Sequence, residues 1–205
     1  MNKIITISRQ YGSGGREIGA KLAQKFMIPF YDNDIITRAA KESGFAEAAF
    51  ENAEKKATNS LLYSIAMGMN AYGNQDLGFT HLSLDDQIYL AQSEVIRNVA
   101  MEGPCVIVGR CADYILRDFQ NVINVFIWAD LEYRKNRAIS LYHLSAKNPE
   151  EEILKIDKRR ANYYNYHAND KWGKAENYHL SVKSNFAGID YTVECIKNFV
   201  EHEVQ

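Results

Sequence analysis

The stretch Ile7-Ser8-Arg9-Gln10-Tyr11-Gly12-Ser13-Gly14-Gly15-Arg16-Glu17-Ile18 concentrates residues suited to holding an anion. Glycines let successive backbone N–H groups turn toward one point, and a following helix N-terminus adds partial positive charge. The phosphate-loop pattern is G-x-x-x-x-G-K-S/T. Setting Gly15-Arg16 on its G-K puts Gln10 at the first glycine and Glu17 at the metal-binding hydroxyl. The letters fail the pattern, whereas the context of strand, glycine turn and helix satisfies it. A tight strand–helix connection also uses glycine, but Gly12, Ser13, Gly14 and Gly15 together exceed what turning requires. Arg16 can replace the lysine, because its planar fork contacts phosphate bidentately. Glu17 needs an explanation: a carboxylate about 4 Å from a phosphate oxygen costs about 4 kcal/mol at an effective dielectric near 20. It therefore binds a metal ion or points away, with Lys21 one turn on as its partner.

Further cations fall where they could neutralise charge developing on a transferred phosphoryl group: Arg38, Arg110, Arg159 and Arg160. Each also has a plainer reading. Arg38 could be a solvated helix residue. Arg110 follows a buried strand and is the hardest to explain as surface. Arg159 and Arg160 could complement a helix C-terminus or pair with Glu150, Glu151 and Glu152. Tyr163, Tyr164, Tyr166, Trp172 and Tyr178, with Lys171 and Lys174, could stack a base, close over a nucleotide, or pack a lid or dimer interface. The histidines show no ligand spacing, and Cys105, Cys111 and Cys195 show neither a disulfide framework nor a zinc pattern. Cys111 reads as a small buried residue.

The elements that must position these residues alternate strand and helix. Residues 3–8 predict a strand, and Ile18, Leu22 and Phe26 mark the helix after the glycines. Phe30-Tyr31 begins a second strand, and Asp32-Asn33-Asp34 caps a helix from Ile35. The pattern stays helical to about Asn70, and residues 71–80 read as a loop. Ser83 and Asp86 resemble a capping box before a helix over residues 84–101. Residues 105–108 form a continuous apolar run and residues 122–128 a second one broken only by Asn124, as strands buried on both faces would be. Asp130 opens another helix, and Asn148-Pro149 with three acids opens the next. Residues 178–182 predict a last strand and residues 188–200 a last helix. The result is an α/β three-layer domain with a parallel sheet, an inserted helical lobe over residues 35–101 and a lid over residues 143–177.

Composition narrows the class. The chain has 205 residues, one domain's worth, with 24 Lys plus Arg against 26 Asp plus Glu. That balance disfavours a nucleic-acid binder, although it permits a local cationic cleft. No apolar run is long enough to span a membrane, and the start of the chain reads as a strand rather than a signal peptide. A reducing cytoplasm is the expected setting.

On the glycine loop, Phe30-Tyr31-Asp32, Val108-Gly109-Arg110, Asp157-Lys158-Arg159-Arg160-Ala161, Lys171-Trp172-Gly173 and Asn177-Tyr178, the chain resembles the cytidylate kinase-like family. These are relatives of bacterial cytidylate kinase among the P-loop nucleoside monophosphate kinases. The resemblance implies a three-layer P-loop kinase fold with a helical monophosphate-binding lobe and a lid. It implies ATP-dependent phosphoryl transfer, with Mg²⁺, to a CMP-like nucleoside monophosphate or similar small phosphorylated acceptor. Gly12, Ser13, Gly14, Gly15, Arg16 and Glu17 would bind the ATP phosphates, with Glu17 a metal-ligand candidate. Arg16, Arg159 and Arg160 would serve catalysis, and Asp32, Arg38 and Arg110 the acceptor. The chain departs from cytidylate kinases where they carry Lys then Ser or Thr in the loop. The acceptor motif D-T-G-x-x-Y-R keeps only Asp32 and Arg38, and G-R-D becomes Gly109-Arg110-Cys111, with Asp113 two residues on. A catalytically weak or inactive nucleotide-binding sensor is the alternative, and a homodimer is an open expectation.

Overall fold

The computed structural model describes residues 2–32, 34–43, 84–145, 147–168 and 170–202. Five strands form one parallel sheet: β1 (Ile4–Arg9), β2 (Phe30–Tyr31), β3 (Val106–Val108), β4 (Val122–Trp128) and β5 (Leu180–Lys183), in the order β2-β3-β1-β4-β5. The first strand in sequence is thus central, with Ile5 opposite both Val106 and Ile123. Among the described residues the α-helices are α1 (Gly15–Phe26), α2 (Asp34–Ser43), α3 (Leu84–Glu102), α4 (Ala112–Ile115), α5 (Leu131–Tyr142), α6 (Pro149–Ala168) and α7 (Ile189–Glu201).

The period-two alternation of strand side chains divides the core into two layers. Ile5, Ile7, Val106, Val108, Ile123, Val125 and Ile127 meet Ile18 and Leu22 of α1 and Val193 and Ile196 of α7. Ile4, Ile107 and Val122 face the other way, onto α2, α3, α4 and Tyr163 and Tyr164 of α6. Two helical layers on a parallel sheet are the α/β architecture expected from the chain.

Most boundaries agree with the sequence pattern, β4 at both ends. β1 and β5 each run one residue beyond the expected strand, because they pair on past its end along β4. The cap residue Asp130 makes no side-chain bond to the start of α5. Its carboxylate instead takes Lys183 at 2.7 Å and Asn185 at 2.9 Å, tying α5 to the end of β5. The helical pattern beyond residue 43, the loop over residues 71–80 and Ser83 lie outside the described residues. Within residues 143–177, α6 buries Ile153, Asp157, Tyr163, Tyr164 and Ala168.

Candidate phosphate-binding site

β1 ends at Arg9 and α1 starts at Gly15, so the glycine loop sits at the carboxyl end of the central strand, where open parallel sheets place ligands. Gly12 (φ 78°) and Gly14 (φ 83°) are left-handed. A Cβ on Gly12 would come 2.6 Å from the Arg134 carbonyl oxygen, so glycine is required there by contact as well as by φ. Ser13 is fully buried; its hydroxyl donates to the Gln10 carbonyl at 2.8 Å, and its carbonyl accepts from Ser184 Oγ at 2.6 Å. The serine therefore shapes the loop from within. Gly14, as N-cap of α1, offers no side-chain cap to the first turn, which suits an anion there.

The loop opens on a cavity of about 350 Å³. Gly12, Gly14 and Gly15 form its floor, and Arg9, Arg16 and Arg160 supply positive charge around it. Asp32, also on the lining, accepts from Arg16 Nε at 2.5 Å and lies 3.9 Å from Arg9 Nη2. Arg160 Nη1 donates to the Arg9 carbonyl at 3.0 Å, and its guanidinium lies over the Tyr11 ring at 5.5 Å. Tyr11 in turn packs against Tyr142, with ring centroids 5.5 Å apart. Three cations against one carboxylate suit a multiply charged anion.

A smaller cavity, about 20 Å³, adjoins it at the end of β3 and shares Arg9 and Arg160. Arg110 and Cys111 line it from a turn in which Gly109, Arg110 and Cys111 have φ of 79°, 59° and 54°. Such conformations in non-glycine residues persist where surrounding structure enforces them. Nearby Asp113 is buried and leaves Oδ2 without a partner, and burial lifts its carboxyl to about 6 despite a hydrogen bond with Tyr164.

The remaining candidates lie elsewhere. Arg38 lines a separate cavity of about 450 Å³ and sits 3.6 Å from Glu102. Arg159 lines none of these three cavities, and its Nε is buried without a hydrogen-bond partner. Glu17 turns from the loop toward Arg137 of α5, at 2.7 Å, and Lys21, at 3.3 Å. Although partial burial opposes it, these two cations hold the Glu17 carboxyl below its ordinary range.

That pairing bears on Mg²⁺. Among the described residues no group of three His, Cys, Asp or Glu is placed to hold a metal ion. The two acids at the loop, Glu17 and Asp32, are both engaged by cations. The residues present do not fit a magnesium ion held through Glu17. Glu17→Gln should therefore leave the Mg²⁺ dependence of ATP affinity unchanged and lower stability by about 1 kcal/mol, through the weakened bond to Arg137. Magnesium titrations of ATP binding that separate for the two proteins would restore the metal role.

Arg9, Tyr142, Arg134, Arg137 and Asp157 were not among the expected site residues. Arg9 had a signal, since it ends the strand that feeds the loop. Asp157 stands on α6 in a segment that carries the family resemblance, whereas Arg134, Arg137 and Tyr142 approach from α5 and nothing in local spacing announces them.

A family model described as cytidylate kinase-like matches residues 4–185. The chain belongs to the cytidylate kinase-like family. Among solved structures, an uncharacterized protein from Eubacterium ventriosum ATCC 27560 is 26% identical with a TM-score of 0.73, over 98% of this chain and 99% of that one. Shikimate kinase from Acinetobacter baumannii, in complex with shikimate, is 14% identical with a TM-score of 0.54, over 100% and 96%. Shikimate kinase from Bacteroides thetaiotaomicron is 12% identical with a TM-score of 0.58, over 98% and 99%. The shikimate kinases share the fold. No curated protein matches the chain. Family and fold make this a P-loop kinase-type protein, a phosphotransferase class that uses a nucleotide. No helix among the described residues is long and apolar enough to cross a membrane.

Proposed function

We propose that the chain transfers a phosphoryl group from ATP to a CMP-like nucleoside monophosphate or a similar small phosphorylated acceptor. The observation that carries this reading is the uncapped start of α1 opening on a cavity lined by Arg9, Arg16 and Arg160. Phosphoryl transfer needs positioning and charge neutralisation more than covalent help. On this reading the N–H groups from Gly12 to Arg16 hold the donor phosphates, and Arg16, oriented by Asp32, neutralises the β- and γ-oxygens. Arg160 and Arg9, shared by the two cavities, stand between donor and acceptor. Arg110 serves the acceptor phosphate from the β3 turn. Arg38 would join it only by leaving Glu102, and Arg159 would act from α6 beside Arg160. ATP would bring its Mg²⁺ on its own phosphates.

A nucleotide-binding sensor with little turnover is the second reading, favoured by Glu17 at the usual hydroxyl position and its pairing with Arg137. Thermal-shift measurements with ATP, ADP and a panel of nucleoside monophosphates, followed by turnover assays, separate the two. Stabilisation follows RT ln(1 + [L]/Kd), so bound phosphates raise the melting temperature. Binding with steady turnover supports the kinase, and binding alone supports the sensor. No shift with millimolar ATP or ADP would sink both.

Arg110→Ala is expected to weaken acceptor binding about tenfold, or 1.4 kcal/mol, with ATP affinity little changed. Calorimetric titration of each ligand checks this; a loss confined to ATP would reverse the assignment.

A further inference from the structure

The glycine loop is gripped from outside at one residue, on both peptide groups that flank its Cα. The Tyr11 N–H donates to Asp157 Oδ1 at 2.7 Å, and the Tyr11 carbonyl accepts from Arg134 Nη1 at 3.4 Å. The same Arg134 Nη1 pairs with Asp157 Oδ2. One ion pair therefore holds the donor and the acceptor of a single loop residue. Both side chains are buried, and they come from α5 and α6, 123 and 146 residues along the chain. The next residue is Gly12, pressed against the Arg134 backbone. A loop that presents N–H groups to phosphate must hold them in fixed directions before the ligand arrives, since misplacement weakens every contact together.

We propose that Arg134 and Asp157 are a positioning pair that sets the shape of the phosphate loop through the backbone N–H and C=O of Tyr11. Neither lines the loop cavity. Asp157 takes the Tyr11 N–H, which fixes where the loop leaves β1, and Arg134 orients the carbonyl that precedes Gly12. The inference rests on the loop being the phosphate site proposed above.

Amide exchange of the full chain without nucleotide, and calorimetric binding of ADP, test it in parallel. Asp157→Ala removes the bond to the Tyr11 N–H and the ion pair with Arg134. Asp157→Asn keeps an oxygen for the Tyr11 N–H but drops the charge facing Arg134. Arg134→Lys keeps the charge but loses the fork. In Asp157→Ala, exchange at the Tyr11 and Ser13 amides should rise at least about tenfold while β4 amides keep their protection. ADP should bind about tenfold more weakly, and Asp157→Asn should restore most of both properties. Loop exchange and ADP affinity within about twofold of wild type in Asp157→Ala would overturn the proposal. So would an equal rise in β4, which marks a purely structural role, or an Asp157→Asn no better than the alanine. Should Asp157→Ala fail to fold, a loop-confined rise in Arg134→Lys supports the pair, and its absence overturns it. Wild-type protein that does not bind ADP would defeat the proposed function, yet the exchange measurements would still decide the pair.

Discussion

Changing Arg16 to alanine should lower turnover by about 10²–10³-fold, the scale of losing one preorganised donor at a charge-developing centre. That corresponds to about 3–4 kcal/mol of transition-state stabilisation. The argument starts from geometry. Asp32 binds Arg16 through Nε and Arg16 lines the loop cavity, so under the proposed function the terminal amino groups of the fork would meet phosphate oxygens. The side chain is 65% exposed, so its removal should hardly alter folding stability. A steady-state assay and a melting curve together separate the two effects. Arg16→Lys should recover part of the rate, because it restores charge without the Asp32-bound geometry. A fall of less than about threefold in the alanine variant would make Arg16 an ordinary surface residue.

Acid should weaken the α3–α6 junction through His167. Its ring stacks on Tyr89 of α3 at 3.9 Å and meets Tyr163 and Tyr166 edge-on at 4.6 and 4.8 Å. Burial among these rings lowers its pKa to about 4, against the opposing charge of Asp86. A histidine that resists protonation when folded contributes stability above its unfolded value near 6.5, and loses it as pH falls toward the folded value. The loss between pH 8 and pH 5 is about 2 kcal/mol. Asp113 acts in the opposite direction over an overlapping range. Its raised pKa of about 6 means that stability is lost as pH rises from the ordinary aspartate range through that value. The whole-protein curve can therefore look flat, and the measurement must be a difference. Urea unfolding of wild type and His167→Phe at both pH values isolates the histidine, and Asp113→Asn isolates the carboxylate. Identical pH slopes for wild type and His167→Phe would show that the ring is solvated in practice.

The fold was legible because its signals are local. The apolar run over Val122–Trp128, broken only by Asn124, reads as a buried strand, and it is a strand to the residue, half-buried at Asn124 and exposed at Trp128. The glycine loop was legible for the same reason, as a strand end, a left-handed turn and a helix start are consecutive in the chain. Its surroundings were not. Lys21 could be assigned to Glu17 from helical spacing, but Arg137, which makes the shorter contact, stands 120 residues away. Arg38 could be matched to an acceptor motif, but Glu102 at 3.6 Å was invisible without the packing of α2 on α3. Asp157 was visible as part of a charged segment, while its bond from the Tyr11 N–H depends on the path of α6. Pairings set by tertiary packing leave no periodic trace.

The central place of β1 has a consequence for how the chain is made. Its six residues are made well before their sheet partners, Val106–Val108 and Val122–Trp128. Until β3 has been synthesised this strand has both edges open, and until β4 follows it keeps one, a hazard for association with other nascent chains. The loop waits longer still, since Tyr11 meets Asp157 only after α6 has cleared the exit tunnel. Such long-range closure slows folding. Ribosome-stalled chains of increasing length should bury β1 before they bind ADP, so that binding is acquired only once α6 has been made, long after the loop itself.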